Sequence, residues 1–316
     1  MYTPSPEHLL QQHRAAQRAP NPGFRPLAMP ANPAAFWEVL ETHHWNADHD
    51  VAAISQTGFT FLSFVLFYCP QRMHEALALH QQHRDAAQII KRPDPHGHHQ
   101  GWAPLHWAAR LFQGQPWVPT LLALGADATA TCSDAHTAPE ASPQALGLLM
   151  LCFNPRMQQF YQPDLEASTA AAQALISAGA DVGYVNEEGA IPLHGAAQHA
   201  AHLVPLLLAH PNASALINTI DAYAQTPLTR ALISQPSVVM QLIQAGADPW
   251  LSLPRKDGIY KNAVDVARLL LQGKIGTPPM DRDQARQVWE VFTEHAHSLR
   301  SLLAGHRGAP GIDSKT

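Results

Sequence analysis

Cysteine is scarce. The 316-residue chain holds three, Cys69, Cys132 and Cys152, far apart and in no CxxC pairing. That spacing excludes a disulfide framework and a cysteine zinc site, and it fits a reducing compartment. Charge is scarce too. Asp, Glu, Lys and Arg make up 14% of residues, with a formal net charge of −5. So mild a balance gives no reason to expect nucleic acid or an anionic membrane as a partner. Long hydrophobic runs are missing. The longest, Phe59 to Cys69, is about half of the ~20 residues that a membrane span needs. Met1 to Pro33 lacks the apolar stretch of a secretory signal. A cytoplasmic location is therefore expected, with export by a route that uses no cleavable signal still open.

Apolar residues are plentiful at 46%, enough for a sizeable core in one or two domains. There are also 27 prolines and 20 histidines. Residues 1–34 are rich in Pro, Gln, Ala and Arg without sustained periodicity, and read as a disordered arm. Order is expected from Phe36-Trp37-Glu38-Val39-Leu40, with residues 35–93 as a helical cap or degenerate repeat. Residues 305–316 read as a polar tail.

Two phrases recur between these ends. The first is Ala103-Pro104-Leu105-His106-Trp107-Ala108-Ala109, then Ile191-Pro192-Leu193-His194-Gly195-Ala196-Ala197, then Thr226-Pro227-Leu228-Thr229-Arg230-Ala231-Leu232. The second is Leu121 to Asp127, Leu175 to Asp181 and Leu242 to Asp248, each ending Gly-Ala-Asp. Its last two copies stand two periods of about 33 residues apart. Proline suits the first turn of a helix, where a missing N–H costs nothing and φ is already helical. Glycine suits a left-handed C-cap, and Asp opens the turn that follows. Each unit therefore reads as helix, loop, helix, hairpin-like turn.

These phrases resemble the ankyrin repeat family, over roughly residues 94–250 and in weaker form beyond. Asn186-Glu187-Glu188-Gly189 and Asp221-Ala222-Tyr223-Ala224 resemble the turn before each Pro-Leu phrase. The resemblance implies an all-α solenoid of about five to six repeats, with the array over 94–280 and a capping helix over 281–304. The expected cap begins at Asp281 and is anchored by Val288, Trp289, Phe292, Leu299, Leu302 and Leu303. Ser142-Pro143 reads as a degenerate repeat start, with an inner helix through Leu146 to Cys152 and an insertion over Asn154 to Glu166. Thr60 to Val65, followed by an outer helix over Met73 to His83, reads as an atypical first repeat. Ala103, Ile191, Ala224 and Thr229 depart from the family pattern, and a loss of local hydrogen bonding is expected there.

No catalytic signature holds. GxGxxG, GxxxxGK[ST] and GxSxG are absent, and His74-Glu75 lacks the second His of a zinc-protease helix because Ala78 stands there. Asn212-Ala213-Ser214 matches a glycosylation sequon, which has no consequence without secretion. The histidine groups (His43, His44 and His49; His80 and His83; His96, His98 and His99; His199 and His202) are expected to be solvated or half-buried rather than metal ligands. His106 and His194 resemble the family histidine that bonds the backbone of adjacent turns.

The resemblance implies non-catalytic binding of a protein partner through the turn tips and the open side of each first helix. Carried over, these positions are His99, Gln100, Trp102, Arg110 and Leu111; then Glu187, Glu188, Ala190, Gln198 and His199; then Ala222, Tyr223, Gln225, Ile233 and Ser234. Trp102 and Tyr223 are the expected hot spots, as large aromatics. No cofactor, no metal, no nucleic acid, no membrane and a monomeric state are expected. A host-directed bacterial effector on the same fold is the alternative. A His-dependent metal protein or enzyme, and a scaffold associating through Phe61, Phe64 and Phe67, are further readings.

Overall fold

The computed structural model describes residues 33–45, 49–96, 100–134, 144–152, 164–251 and 262–274, with 283, 286, 287, 289, 290 and 292. The arm over 1–34 and the tail over 305–316 therefore lie almost wholly outside the described residues, as do Asp281, Val288, Leu299, Leu302 and Leu303.

Helices dominate. In chain order they are α1 (Pro33–Thr42), α2 (Phe61–Tyr68), α3 (Met73–Gln82), α4 (Ala86–Ile89), α5 (Pro104–Arg110), α6 (Val118–Ala123), α7 (Leu148–Leu151), α8 (Leu165–Ser177), α9 (Pro192–His199), α10 (Val204–Leu208), α11 (Ala213–Leu216), α12 (Pro227–Ser234), α13 (Val239–Gln244) and α14 (Ala263–Leu271). The expected all-α fold needs one correction. Strand β1 (Thr131–Asp134) pairs antiparallel with β2 (Gln144–Gly147), with Thr131 opposite Gly147. The backbone of Gln144 to Gly147 joins this ladder, so the helix expected through Leu146 starts instead at Leu148. The insertion also ends earlier than expected. Asp164 caps α8 by accepting the Ala167 N–H at 3.0 Å, which places Glu166 inside the helix.

The first helices of the units contact one another in series. Helix α2 packs on α5, α5 on α7, α7 on α9, α9 on α12, and α12 on α14. Alanine makes this close approach possible: Ala108, Ala109, Ala196, Ala197 and Ala231 are all fully buried along it. The second helices follow on the outer side, with α8 packed on α6. Three of them end in the same way. Gly125, Gly179 and Gly246 take φ of +96°, +95° and +103°. The alanine after each glycine donates its N–H to the carbonyl five residues back, on Leu121, Leu175 and Leu242 respectively. That is the Schellman ending, and a side chain would be strained at those φ values.

The turns before α2, α9 and α12 share one backbone pattern. Ser55, Asn186 and Asp221 each donate an N–H to the carbonyl four residues on, at 2.9, 3.0 and 2.9 Å. Their third neighbours, Gly58, Gly189 and Ala224, have φ of +91°, +69° and +56°. Ala224 is thus an L-residue in a conformation that its counterparts meet with glycine. The matching turn before α5 is four residues longer, running from Asp94 to Gly101, and His99 lies outside the described residues.

One core runs through the described units. At its N-terminal end, α1 brings Phe36 and Trp37 over α2, and Trp45 stands edge-on to Phe61 and Phe64 at 5.5 and 5.0 Å. Of the three rings expected as a self-association surface, Phe61 and Phe64 are fully buried and withdrawn from it, and Phe67 is half-buried. At the other end Phe292 is buried and the Arg268 guanidinium lies 5.9 Å from the Trp289 ring.

Candidate partner-binding face

The ends of the first helices set the geometry of the turns. At α12, Thr226 and Thr229 close a reciprocal cap. Thr226 Oγ1 accepts the Thr229 N–H at 3.2 Å, and Thr229 Oγ1 accepts the Thr226 N–H at 2.7 Å. The hydrogen-bond loss expected from Thr229 in place of His does not occur within this turn. At α9 and α5 the ring replaces the hydroxyl. Ile191 N–H donates to His194 Nδ1 at 3.2 Å, and Ala103 N–H donates to His106 Nδ1 at 2.9 Å. With Nδ1 accepting, His194 Nε2 carries the proton and donates to the Gln225 carbonyl at 3.1 Å, tying one unit to the next. Burial pushes the His106 and His194 imidazoles down to about 4, so both are neutral at pH 7. Thr229 has no counterpart to that onward bond, because its hydroxyl donates to Thr226 O at 2.9 Å.

The expected site residues divide into three groups. Trp102 is corrected: it is 1% exposed and cannot act as a surface anchor. Its ring lies 4.7 Å from the Trp107 ring, and the Arg110 guanidinium covers it at 5.5 Å. Leu111 and Ala190 are buried as well. Gln100 is exposed and Arg110 half-buried, at a separate place on the α5 turn and helix.

The third group comes together between α9 and α12. Tyr223 is 54% exposed, and its hydroxyl donates to Glu188 Oε1 at 3.1 Å. The Ala222 N–H donates to the Glu188 carbonyl at 2.7 Å, so the two neighbouring turns are joined by backbone and by side chain. Asp221 Oδ1 accepts the Tyr223 and Gln225 N–H groups at 2.9 and 2.8 Å. Its Oδ2 accepts from Arg230 Nε and Nη2 at 2.8 and 2.5 Å, and Arg230 Nη1 reaches Gln198 Oε1 at 2.8 Å. His199 is half-buried beside this network; burial, then the Arg230 charge, push its imidazole down to about 4. Glu187, Ala222 and Ser234 are exposed, and Gln225 and Ile233 half-buried.

Sequence reasoning missed Asp221 and Arg230. A signal existed: an Asp at the first position of the turn and an Arg nine positions later, on the helix that the turn introduces. It also missed Asp94. This carboxyl is 1% exposed, accepts the Thr60 N–H at 2.7 Å and Trp107 Nε1–H at 2.9 Å, and is pushed up to about 6 by burial. Asp94 thereby joins the first two units inside the core.

Among the described residues no three His, Cys, Asp or Glu side chains converge as metal ligands. His43 stacks on Tyr68, His49 pairs with Glu41 at 2.7 Å, and His202 Nε2 meets Ser168 Oγ at 3.0 Å. Burial pushes the Cys69 and Cys152 thiols up to about 12, far from a thiolate nucleophile at neutral pH. An open recess of about 430 Å³, lined by residues that include Ala52, Asp85, Lys91 and Arg92, lies apart from the turn tips. No helix among the described residues is long and apolar enough to cross a membrane.

A family model described as ankyrin repeats, in three copies, matches residues 165–252. No curated protein matches the sequence at a significant level. Among solved structures, one chain of a complex described as the predatory endopeptidase Bd0816 from Bdellovibrio bacteriovorus with immunity protein Bd3460 is similar at 20% identity. Its TM-score is 0.48, over 74% of this chain and 99% of that chain. The repeated Pro-Leu helix starts, the Gly-Ala-Asp endings and the matched segment together show that this chain carries ankyrin repeats over residues 165–252.

Proposed function

We propose that the chain is a non-catalytic recognition protein: an ankyrin solenoid of six stacked helix pairs that holds a protein partner along its turn tips and first-helix face. The serial contacts of α2, α5, α7, α9, α12 and α14 support six units, with β1 and β2 standing in the third. Stacked short units make a stiff, extended surface, and stiffness lowers the ordering cost of binding. Burial of Phe61 and Phe64 beneath the N-terminal helix favours a monomer. Three buried cysteines, none in a disulfide among the described residues, favour a reducing compartment inside the cell.

One observation carries the reading. The Tyr223 turn is fixed by hydrogen bonds on every side, yet it holds a large aromatic ring 54% exposed. Such a ring, rigidly presented, has the character of an interface hot spot. The test uses the full chain with a photo-crosslinking amino acid in place of Tyr223, expressed in its own cells, beside the same group in place of Gln173 on the outer helix α8. A defined protein adduct from position 223 alone is expected. Adducts only from position 173, or none from either, would overturn the reading.

A further inference from the structure

We infer that the open recess beside α4 binds a short zwitterion of the dipeptide class, with an ammonium and a carboxylate held apart by a compact body. This small-molecule site is distinct from the partner-binding face and does not depend on it.

The recess has a volume of about 430 Å³ and is lined by Ala52, Asp85, Gln88, Ile89, Lys91 and Arg92. Small-molecule sites span roughly 300–1,000 Å³. Four of the lining residues share one helical face. Asp85, Gln88, Ile89 and Arg92 stand at i, i+3, i+4 and i+7. The coil continues past the end of α4, since the Lys91 and Arg92 N–H groups donate to the Gln88 and Ile89 carbonyls at 3.2 and 3.1 Å. Asp85 therefore opens this face, and Lys91 and Arg92 close it about 10 Å further along the axis. Ile89, 6% exposed, lies between the two ends as apolar surface.

The cationic end is held in place. Arg92 Nη1 donates to the Ala52 carbonyl at 2.8 Å, which ties the guanidinium to the loop before α2 and uses one of its five donors. Lys91 is exposed, and its charge acts on Asp127 at a distance. Among the described residues neither cation is in an ion pair. At the acidic end, Asp85 Oδ2 accepts from Arg84 Nε at 3.2 Å, in a pair whose side chains are 51% and 89% exposed. Such an exposed pair is weak, and a carboxylate has room for further donors.

The charges select the ligand. A plain cation would meet Lys91 and Arg92. A dianion such as phosphate would meet Asp85 and the exposed Asp50 of the adjoining loop. A zwitterion finds an opposite charge at each end, through charge-assisted hydrogen bonds. A free amino acid carries both charges on one carbon, too close together to serve both ends. A dipeptide sets them apart by one peptide group, which the Gln88 amide can meet as donor or acceptor.

The test is an NMR titration of the full chain with alanyl-leucine, beside N-acetyl-alanyl-leucine, alanyl-leucine amide and free leucine. Saturable shifts confined to Ala52, residues 85–92 and their neighbours are expected with alanyl-leucine. Each blocked peptide, and leucine, should bind at least about threefold more weakly. Lys91→Gln and Asp85→Asn, both at exposed positions, should each weaken alanyl-leucine by a similar factor, with circular dichroism to check the fold. Tyr223→Ala should leave the affinity unchanged. No saturation by alanyl-leucine, equal binding of the blocked peptides or of leucine, or affinity unmoved by both recess variants would overturn the inference.

Discussion

Arg230 grips Asp221 through two nitrogens, at 2.8 and 2.5 Å, from one turn of α12 beyond the loop that Asp221 opens. One carboxyl oxygen thus faces the guanidinium while the other holds two backbone N–H groups of the Tyr223 turn. The pair fixes the loop that presents the exposed ring.

Removing Arg230 leaves the buried Asp221 carboxylate without its counter-charge. Arg230→Ala should lower stability by about 3–5 kcal/mol, the range for breaking a buried ion pair. Arg230→Lys keeps the charge but loses the two-pronged geometry, and should fall between. Urea denaturation followed by circular dichroism reads both. A loss below ~1 kcal/mol for Arg230→Ala would contradict the geometry.

Acid should destabilise the fold. His106, His194 and His199 titrate near 4 in the folded chain, against about 6.5 when unfolded. Between those values the unfolded chain binds more protons, so the stability they contribute is present above pH 6.5 and is lost as pH falls towards 4. Asp94 runs the other way. Its folded value near 6 stands above the usual 3.8, so its contribution is present at low pH and is lost as pH rises through 6. Three histidines outweigh one carboxyl, and the urea midpoint should drop between pH 7.5 and 5.0. His194→Gln should flatten that slope. A midpoint that holds level or rises on acidification would refute the assignment.

Backbone strain gives a prediction of opposite sign at two matched positions. Ala224 has φ of +56°, where a Cβ is unfavourable. Ala224→Gly should stabilise the chain by about 1 kcal/mol. At the equivalent position of the preceding unit, Gly189→Ala should destabilise it by at least about that much. Its new Cβ would lie 3.2 Å from the Ala222 nitrogen, against a joint that links two turns. Thermal midpoints of the two variants should move in opposite directions.

The two aromatics expected as hot spots should behave differently. Trp102→Ala removes a ring packed on Trp107 and should cost about 3–5 kcal/mol. Tyr223→Ala, at an exposed ring, should cost roughly 0.5 kcal/mol. Equal losses in denaturation midpoints would put both rings in the same environment and contradict the structure.

Much of the repeat architecture was legible because it depends on local chemistry. A Pro at the first turn, a Leu that opens the apolar stripe and a Gly just past the last turn each act on the backbone within a few residues. The helices at Pro104, Pro192 and Pro227 and the left-handed glycines at 125, 179 and 246 lie where those residues imply. Glu188 and Tyr223 were also within reach. Both stand three places before a helix cap, as does Gln100, and that position points outward or is only half covered.

The rest was decided by which parts of the chain meet in space. Trp102 stands one place before its cap. That position faces inward at Ala190 as well, and is half-buried at Gln225. Nothing in the local spelling distinguishes a tryptophan that anchors a partner from one that packs on Trp107. The Arg230–Asp221 pair closes only when the turn folds Asp221 beneath the helix. Phe61 and Phe64 read as an open apolar face until α1 and Trp45 cover them. The sequence by itself determined the helix starts, the C-caps and the repeat period, since each is set by φ preferences and hydrogen bonds within a few residues. Only the tertiary structure decided which aromatic is buried and which ion pair closes. Burial and charge pairing depend on residues that the chain brings together from a distance.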